Sequence, residues 1–373
     1  MTKLMPIFIF GLIMAFISDK YSIVGFNQNG KKVYKKKETL FFLIGATVVA
    51  VFVGLRTSYN DTYTYRNMYE GLDAGFSNIA SLSFSLGDNP GFWITNTILK
   101  TLGCSTQTFL MFYALITVGI YLWFIRKYSD NIWFSVFLFF TMGCYTFTMA
   151  AIKQCVAVAF CLVAVDRFLQ NKKFGFIFWI IIASTFHPYS LVYLITPFLT
   201  FDAWSSKTRY LLIIFGAIAV GIQPLLGTIV NITTMIGEEY DASTFVGEGI
   251  NIFRLAVIWA PIILSFITRK YLRKNNSKVD NVILNLSMLN AEIMFVGLFG
   301  TANYFGRLAN YFLMFQPLLL PYILKAFNKS SKQRMIIICM VCYFLYFYYA
   351  NAIDQPFDGT YKYISFFEYF RNI

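Results

Sequence analysis

FFLIGATVVAVFV, residues Phe41 to Val53, runs directly into GLRTSYNDTYTYRNMY, residues Gly54 to Tyr69. The first run, with its flanks, is long enough and apolar enough to cross a bilayer as a helix. The second places Arg56, Asp61 and Arg66 among Tyr59, Tyr63, Tyr65 and Tyr69, where the chain leaves hydrocarbon. Charges at that depth that face a cavity are usually functional. The competing reading is an interfacial belt of aromatics with snorkelling arginines.

The composition extends the first reading to the whole chain. Of 373 residues, 58% are hydrophobic and only 13% charged, about half the charged share of a soluble domain. The pattern predicts an all-α, polytopic integral membrane protein in a single domain, residues 1–373. Apolar spans fall at Leu4–Ile17 and near 39–56, 107–125, 132–150, 152–169, 174–187 and 189–201. Others fall near 209–230, 251–268, 282–300, 305–324 and 335–350, about twelve in all. No small-residue cleavage pattern follows Leu4–Ile17, so it is read as a helix and not a signal peptide.

Charge orients the spans. Lys31-Lys32-Val33-Tyr34-Lys35-Lys36-Lys37 is the densest basic run, and the positive-inside rule places it in the cytoplasm. Arg126, Lys127, Arg167, Lys172, Lys270 and Lys274 fall on the same side, while Asp61, Glu70, Asp88, Glu238, Glu239 and Asp354 fall opposite. The N- and C-termini are both predicted outside. Two outer segments are expected: residues 57–106, carrying an amphipathic helix from Phe92 to Leu102, and residues 231–250, an acidic loop. The net charge of +13 is thereby dispersed as an orientation signal, which argues against nucleic acid as a partner. Six cysteines and a single histidine offer no zinc-ligand spacing, so no metal and no cofactor are expected.

Ionisable residues recur at the outer ends of several helices: Arg56, Asp61, Asp88, Lys153 beside Gln154, His187, Arg254 and Arg307. Lys153 could snorkel or meet an anion in an outward cavity. His187 could be an interfacial imidazole before the Pro188 break or a base. Lysine and arginine converging from separate helices suit a phosphate or pyrophosphate. Asp61 or Asp88 could take a proton from an attacking hydroxyl. No glycine-rich phosphate loop is present, so a lipid-linked pyrophosphate on the outer leaflet suits such a site better than a cytoplasmic nucleotide.

The order of the short motifs resembles the EpsG family, Wzy-like polymerases of exopolysaccharide, capsule and O-antigen. They are Gly54-Leu55-Arg56 followed by Asp61, then Asp88-Asn89-Pro90-Gly91-Phe92, Lys153-Gln154, Phe186-His187-Pro188, Arg307 with Tyr311, and the terminal Tyr361 to Phe367. Two positions depart from the pattern: Tyr59 stands where glycine is usual, and Lys153 where arginine is usual.

The resemblance implies transfer of a growing glycan from undecaprenyl pyrophosphate onto a lipid-linked repeat unit, with the lipid bilayer as solvent and a chain-length regulator as a further partner. It assigns Arg56, Lys153 and Arg307, helped by Arg254, to pyrophosphate. Asp61 is the first expectation for the base and Asp88 the second, His187 could instead serve as base or orient the acceptor, and Tyr65, Gln154 and Tyr311 are expected substrate contacts. The rival functions are a flippase of lipid-linked oligosaccharide, a membrane O-acyltransferase using His187, and a lipid-glycan ligase.

Overall fold

The structure is a computed structural model that describes residues 1–26, 32–221, 228, 230–232, 234–235 and 249–371. Most of the predicted outer loop 231–250 lies outside the described residues. The apolar segments become helices. They are α1 (Leu4–Tyr21), α2 (Leu40–Gly54), α3 (Thr62–Glu70), α4 (Pro90–Thr101), α5 (Thr106–Tyr128), α6 (Ile132–Thr141), α7 (Cys144–Ala150), α8 (Ile152–Leu169), α9 (Lys173–Phe186) and α10 (Ser206–Val220). After these come α11 (Ile252–Ile267), α12 (Arg269–Asn275), α13 (Lys278–Phe299), α14 (Ala302–Asn310), α15 (Gln316–Ile323) and α16 (Lys329–Tyr348).

Among the described residues, four helices are long and apolar enough to cross a membrane: α1, α5, α13 and α16 with its extension to Asp354. Counting the bent pairs α6–α7 (51°) and α11–α12 (74°) as one span each makes six. The chain is thus a helical membrane protein, and several of the expected spans are shorter or more broken than a uniform set of about twelve. The breaks have local causes. Gly143, at φ +81°, ends α6 in a left-handed conformation that costs glycine little. Pro188 and Pro197 turn Pro188–Leu199 into a 3₁₀-helix. At roughly 2.0 Å rise per residue this tighter helix still reaches far for its length.

Burial sorts the helices into layers. Every residue of α15 is buried, as is every residue of α6 but Trp133 and nearly all of α13 from Asn281 to Val296. Around them α2, α9, α10, α11 and α16 expose Leu43, Ile44, Phe178, Ile181, Ile213, Ile263, Ile338 and Val341. An apolar belt of this extent is stable only against lipid.

The two ends of the bundle differ. At one end the Lys37 ammonium donates to the carbonyls of Lys127 and Ser129 at 3.0 and 3.1 Å. There Arg126 donates to the carbonyls of Glu38 and Lys37, and Lys127 and Lys325 pair with Asp166 and Asp130. Burial pulls the Lys37 ammonium down to about 8, with Asp130 opposing the shift and Arg126 adding to it. At this end the lysine run forms a hairpin, β1 (Ile23–Phe26) with β2 (Lys32–Lys36), which the helix-only reading did not include.

At the other end β3 (Arg56–Ser58) pairs antiparallel with β4 (Lys362–Tyr363). Lys3 donates its ammonium to the carbonyls of Asp358 and Tyr361 at 2.8 and 2.7 Å. The first residues, the Gly54–Tyr69 stretch and the last segment therefore share one end, a ladder invisible to a pattern of apolar runs.

Gly54 explains how that end is assembled. A Cβ there would lie 2.4 Å from Met111 Sδ and 2.9 Å from Met111 Cα on α5, so the two helices touch backbone to side chain. Gly54→Ala is expected to cost about 1–3 kcal/mol by overpacking, lowering the thermal midpoint of the detergent-purified protein by several degrees. Gly119→Ala, on the same helix pair but facing open space, is the control and should leave the midpoint unchanged or slightly raised. Equal midpoints for both variants would contradict the packing assignment.

Candidate functional site

His187 is the last residue before Pro188, and the ring of a following proline excludes the helical region for the residue ahead of it. It accordingly sits extended, at φ −160° and ψ 118°, between α9 and the 3₁₀-helix. Its Nδ1 lies 2.8 Å from the Tyr311 hydroxyl. Tyr311 follows α14, and its carbonyl accepts a hydrogen bond from the buried Tyr193 hydroxyl. Gln154, at the start of α8, donates its amide to the Arg307 carbonyl at 2.6 Å. Three segments far apart in sequence thus close a small cavity of about 40 Å³ lined by Gln154, His187, Tyr189, Tyr304, Arg307 and Tyr311.

The electrostatics of this pocket are cationic. The charges of Lys153 and Arg307 both act on the His187 imidazole. Lys153 lies over the rings of Phe92 and Trp93, at 5.0 and 5.7 Å, in cation–π contact. Arg307 is exposed at the rim.

Two motifs from distant parts of the chain are pressed together here. A Cβ on Gly91 would fall 2.2 Å from Thr185 Oγ1 and 2.9 Å from Thr185 Cβ. The Pro90-Gly91-Phe92 turn of helix therefore packs directly on the residues preceding His187. Asn89, left-handed at φ 54°, and Pro90 at the first helical position start α4 at this contact.

The remaining sequence candidates fall differently. Tyr65 sits edge-on to Phe92 at 5.9 Å, its hydroxyl near the Lys153 backbone and its phenol pushed up by burial and then by Asp61. Arg56 is 1% exposed, and its guanidinium donates to the Thr62 hydroxyl at 3.1 Å and the Val53 carbonyl at 2.7 Å. It does not line the His187 pocket and ties the end of α2 to the start of α3. Asp61 stands half-buried at the N-terminus of α3. Asp88 is exposed and accepts from the Ser83 hydroxyl. Neither aspartate lines the His187 pocket.

Arg254 belongs to a second, larger cavity of about 230 Å³. Its guanidinium donates to Asn310 Oδ1 at 2.8 Å, on the neighbouring turn of the helix that carries Arg307. Asn60, Asn310, Asn351, Asp354 and Gln355 also line this cavity. Sequence reasoning missed them as a group. The available signal was polar residues interrupting the end of an apolar run, Tyr349-Ala350-Asn351-Ala352-Ile353-Asp354-Gln355.

The structure brings together Lys153, Gln154, His187, Arg307 and Tyr311, with Tyr65 at the edge, and leaves Arg56, Asp61, Asp88 and Arg254 outside that group. No curated protein and no solved structure matches the chain. A family model does, that of the EpsG family, over residues 39–366. That range runs from the start of α2 to the terminal segment and includes every residue of both cavities. The chain belongs to the EpsG family.

Proposed function

We propose that the chain is a polysaccharide polymerase of the bacterial cytoplasmic membrane. It moves a growing glycan from undecaprenyl pyrophosphate onto a lipid-linked repeat unit at the outer face. Family membership supports a Wzy-type exopolysaccharide polymerase, a membrane glycosyltransferase, at the level of the family. The observation that carries the finer reading is the His187 pocket: an imidazole with two cations and an amide close by, held by three separate segments. In this reading about twelve helical segments cross or enter the bilayer, both termini lie outside, and a chain-length regulator acts alongside.

In the proposed step an acceptor hydroxyl attacks the anomeric carbon of the donor sugar. The carbon–oxygen bond to the pyrophosphate breaks, and its electron pair leaves with the pyrophosphate. Lys153 and Arg307 stabilise that growing charge. The hydroxyl proton passes to His187 Nε2, with Nδ1–H donating to the Tyr311 oxygen 2.8 Å away. His187 is preferred as base over Asp61 and Asp88 because neither aspartate reaches the pocket.

In a polymerase-deletion strain, wild type restores a glycan ladder, whereas His187→Ala and Arg307→Ala give a single repeat at normal membrane level, a loss on the order of 10²-fold or more. Arg56→Ala should instead reduce the amount of folded protein, because its guanidinium is buried in backbone contacts. Normal ladders from His187→Ala and Arg307→Ala would overturn the site.

A further inference from the structure

The Arg254 cavity does not stand alone. A second cavity of about 400 Å³ shares Arg254, Tyr346, Ala350, Asp354 and Gln355 with it, so the two form one trough divided only by those side chains. Its wall is the π-helical turn Tyr349–Asp354 that ends α16, a geometry frequent at functional sites. Together the cavities have the size of a small-molecule site, roughly 300–1,000 Å³.

The chemistry of the trough differs from that of the His187 pocket. The latter has two cations close to it and no lining carboxylate, which suits an anion. In the trough Arg254 is matched by Asp354, and the other polar groups are neutral amides, phenols and hydroxyls, among them Asn60, Asn310, Asn351, Gln355, Tyr346 and Thr146. Among the described residues its lining therefore balances in formal charge. Amides offer both a donor and an acceptor, as sugar hydroxyls require, and a carboxylate accepts from two hydroxyls at once. Among the described contacts, Asn310 gives only its oxygen to Arg254, and Asn351 only one amide hydrogen to the Phe347 carbonyl.

We propose that this trough binds the neutral sugars of the acceptor repeat unit, on the side of α14 away from His187. The helix serves both sites: Arg307 and Leu308, with Tyr311 just after it, line one, and Asn310 lines the other. Arg254 is then a carbohydrate-binding residue and not a helper at the pyrophosphate. This inference rests on the polymerase reading, and the experiment separates the two.

The experiment uses full-length protein in lipid nanodiscs, with lipid-linked glycan of several repeats as donor and the single lipid-linked repeat unit of the host strain as acceptor, each varied in turn. Asp354→Asn and Gln355→Ala alter exposed side chains, so folding is not at stake. Each should raise the acceptor concentration for half-maximal elongation at least tenfold with the donor dependence unchanged. In a Cys342→Ser background, Gln355→Cys should react with a maleimide. It should be protected by the repeat-unit oligosaccharide freed of lipid and pyrophosphate, and not by inorganic pyrophosphate.

Elongation by wild type with unchanged acceptor dependence in both variants would overturn the subsite while leaving the polymerase intact. Protection by pyrophosphate alone would also overturn it. Oligosaccharide protection without any elongation by wild type would uphold the subsite and overturn the polymerase.

Discussion

The contact between the Tyr311 hydroxyl and His187 Nδ1, 2.8 Å long, joins residues 124 positions apart, and the site depends on it. Neither partner is free to wander. Pro188 holds His187 extended, the Tyr193 hydroxyl anchors the Tyr311 carbonyl, and Gln154 anchors the turn that carries Arg307. Each hydrogen bond contributes only about 1 kcal/mol net, but leaving one of these buried groups unpaired costs more. The arrangement is therefore set as a unit, with α8, α9 and α14 locked in one relative placement. An imidazole fixed in this way can be tuned by neighbouring charges without moving.

Lipid as solvent explains why the site lies where it does. Helices with buried faces in the middle of the bundle leave few places for charge, and the ionic contacts divide between the two ends. Lys37, Arg126, Lys127 and Lys325 cap carbonyls or pair with carboxylates at one end. At the other, Lys153, Arg254 and Arg307 approach cavities. At that same end Lys3 and Arg56 cap carbonyls, so the same residue types both anchor the chain and approach a site.

Much of this was legible in the sequence. The apolar runs predicted the helices because each backbone must satisfy itself in hydrocarbon. The motif order, above all Lys153-Gln154, Phe186-His187-Pro188 and Arg307 with Tyr311, pointed to residues that the fold brings together. The glycines of two motifs found a physical reason only in three dimensions, since Gly54 and Gly91 are close-approach positions against Met111 and Thr185. Arg56 was misleading for a related reason: a charge at a helix end reads the same whether it faces a cavity or its own backbone. The β3–β4 ladder and the trough along Tyr349–Gln355 depend on pairing between the two ends of the chain. No local pattern encodes that pairing.

The central claim is that the cationic pocket around His187 joins sugars instead of passing them across the membrane. Purified protein reconstituted into liposomes with a radiolabelled lipid-linked repeat unit tests it most directly, reading product length on a gel. The account predicts products longer than one repeat from wild type and none from His187→Ala or Arg307→Ala. A repeat unit that crosses the bilayer but never lengthens, with wild type and variants alike, would contradict it.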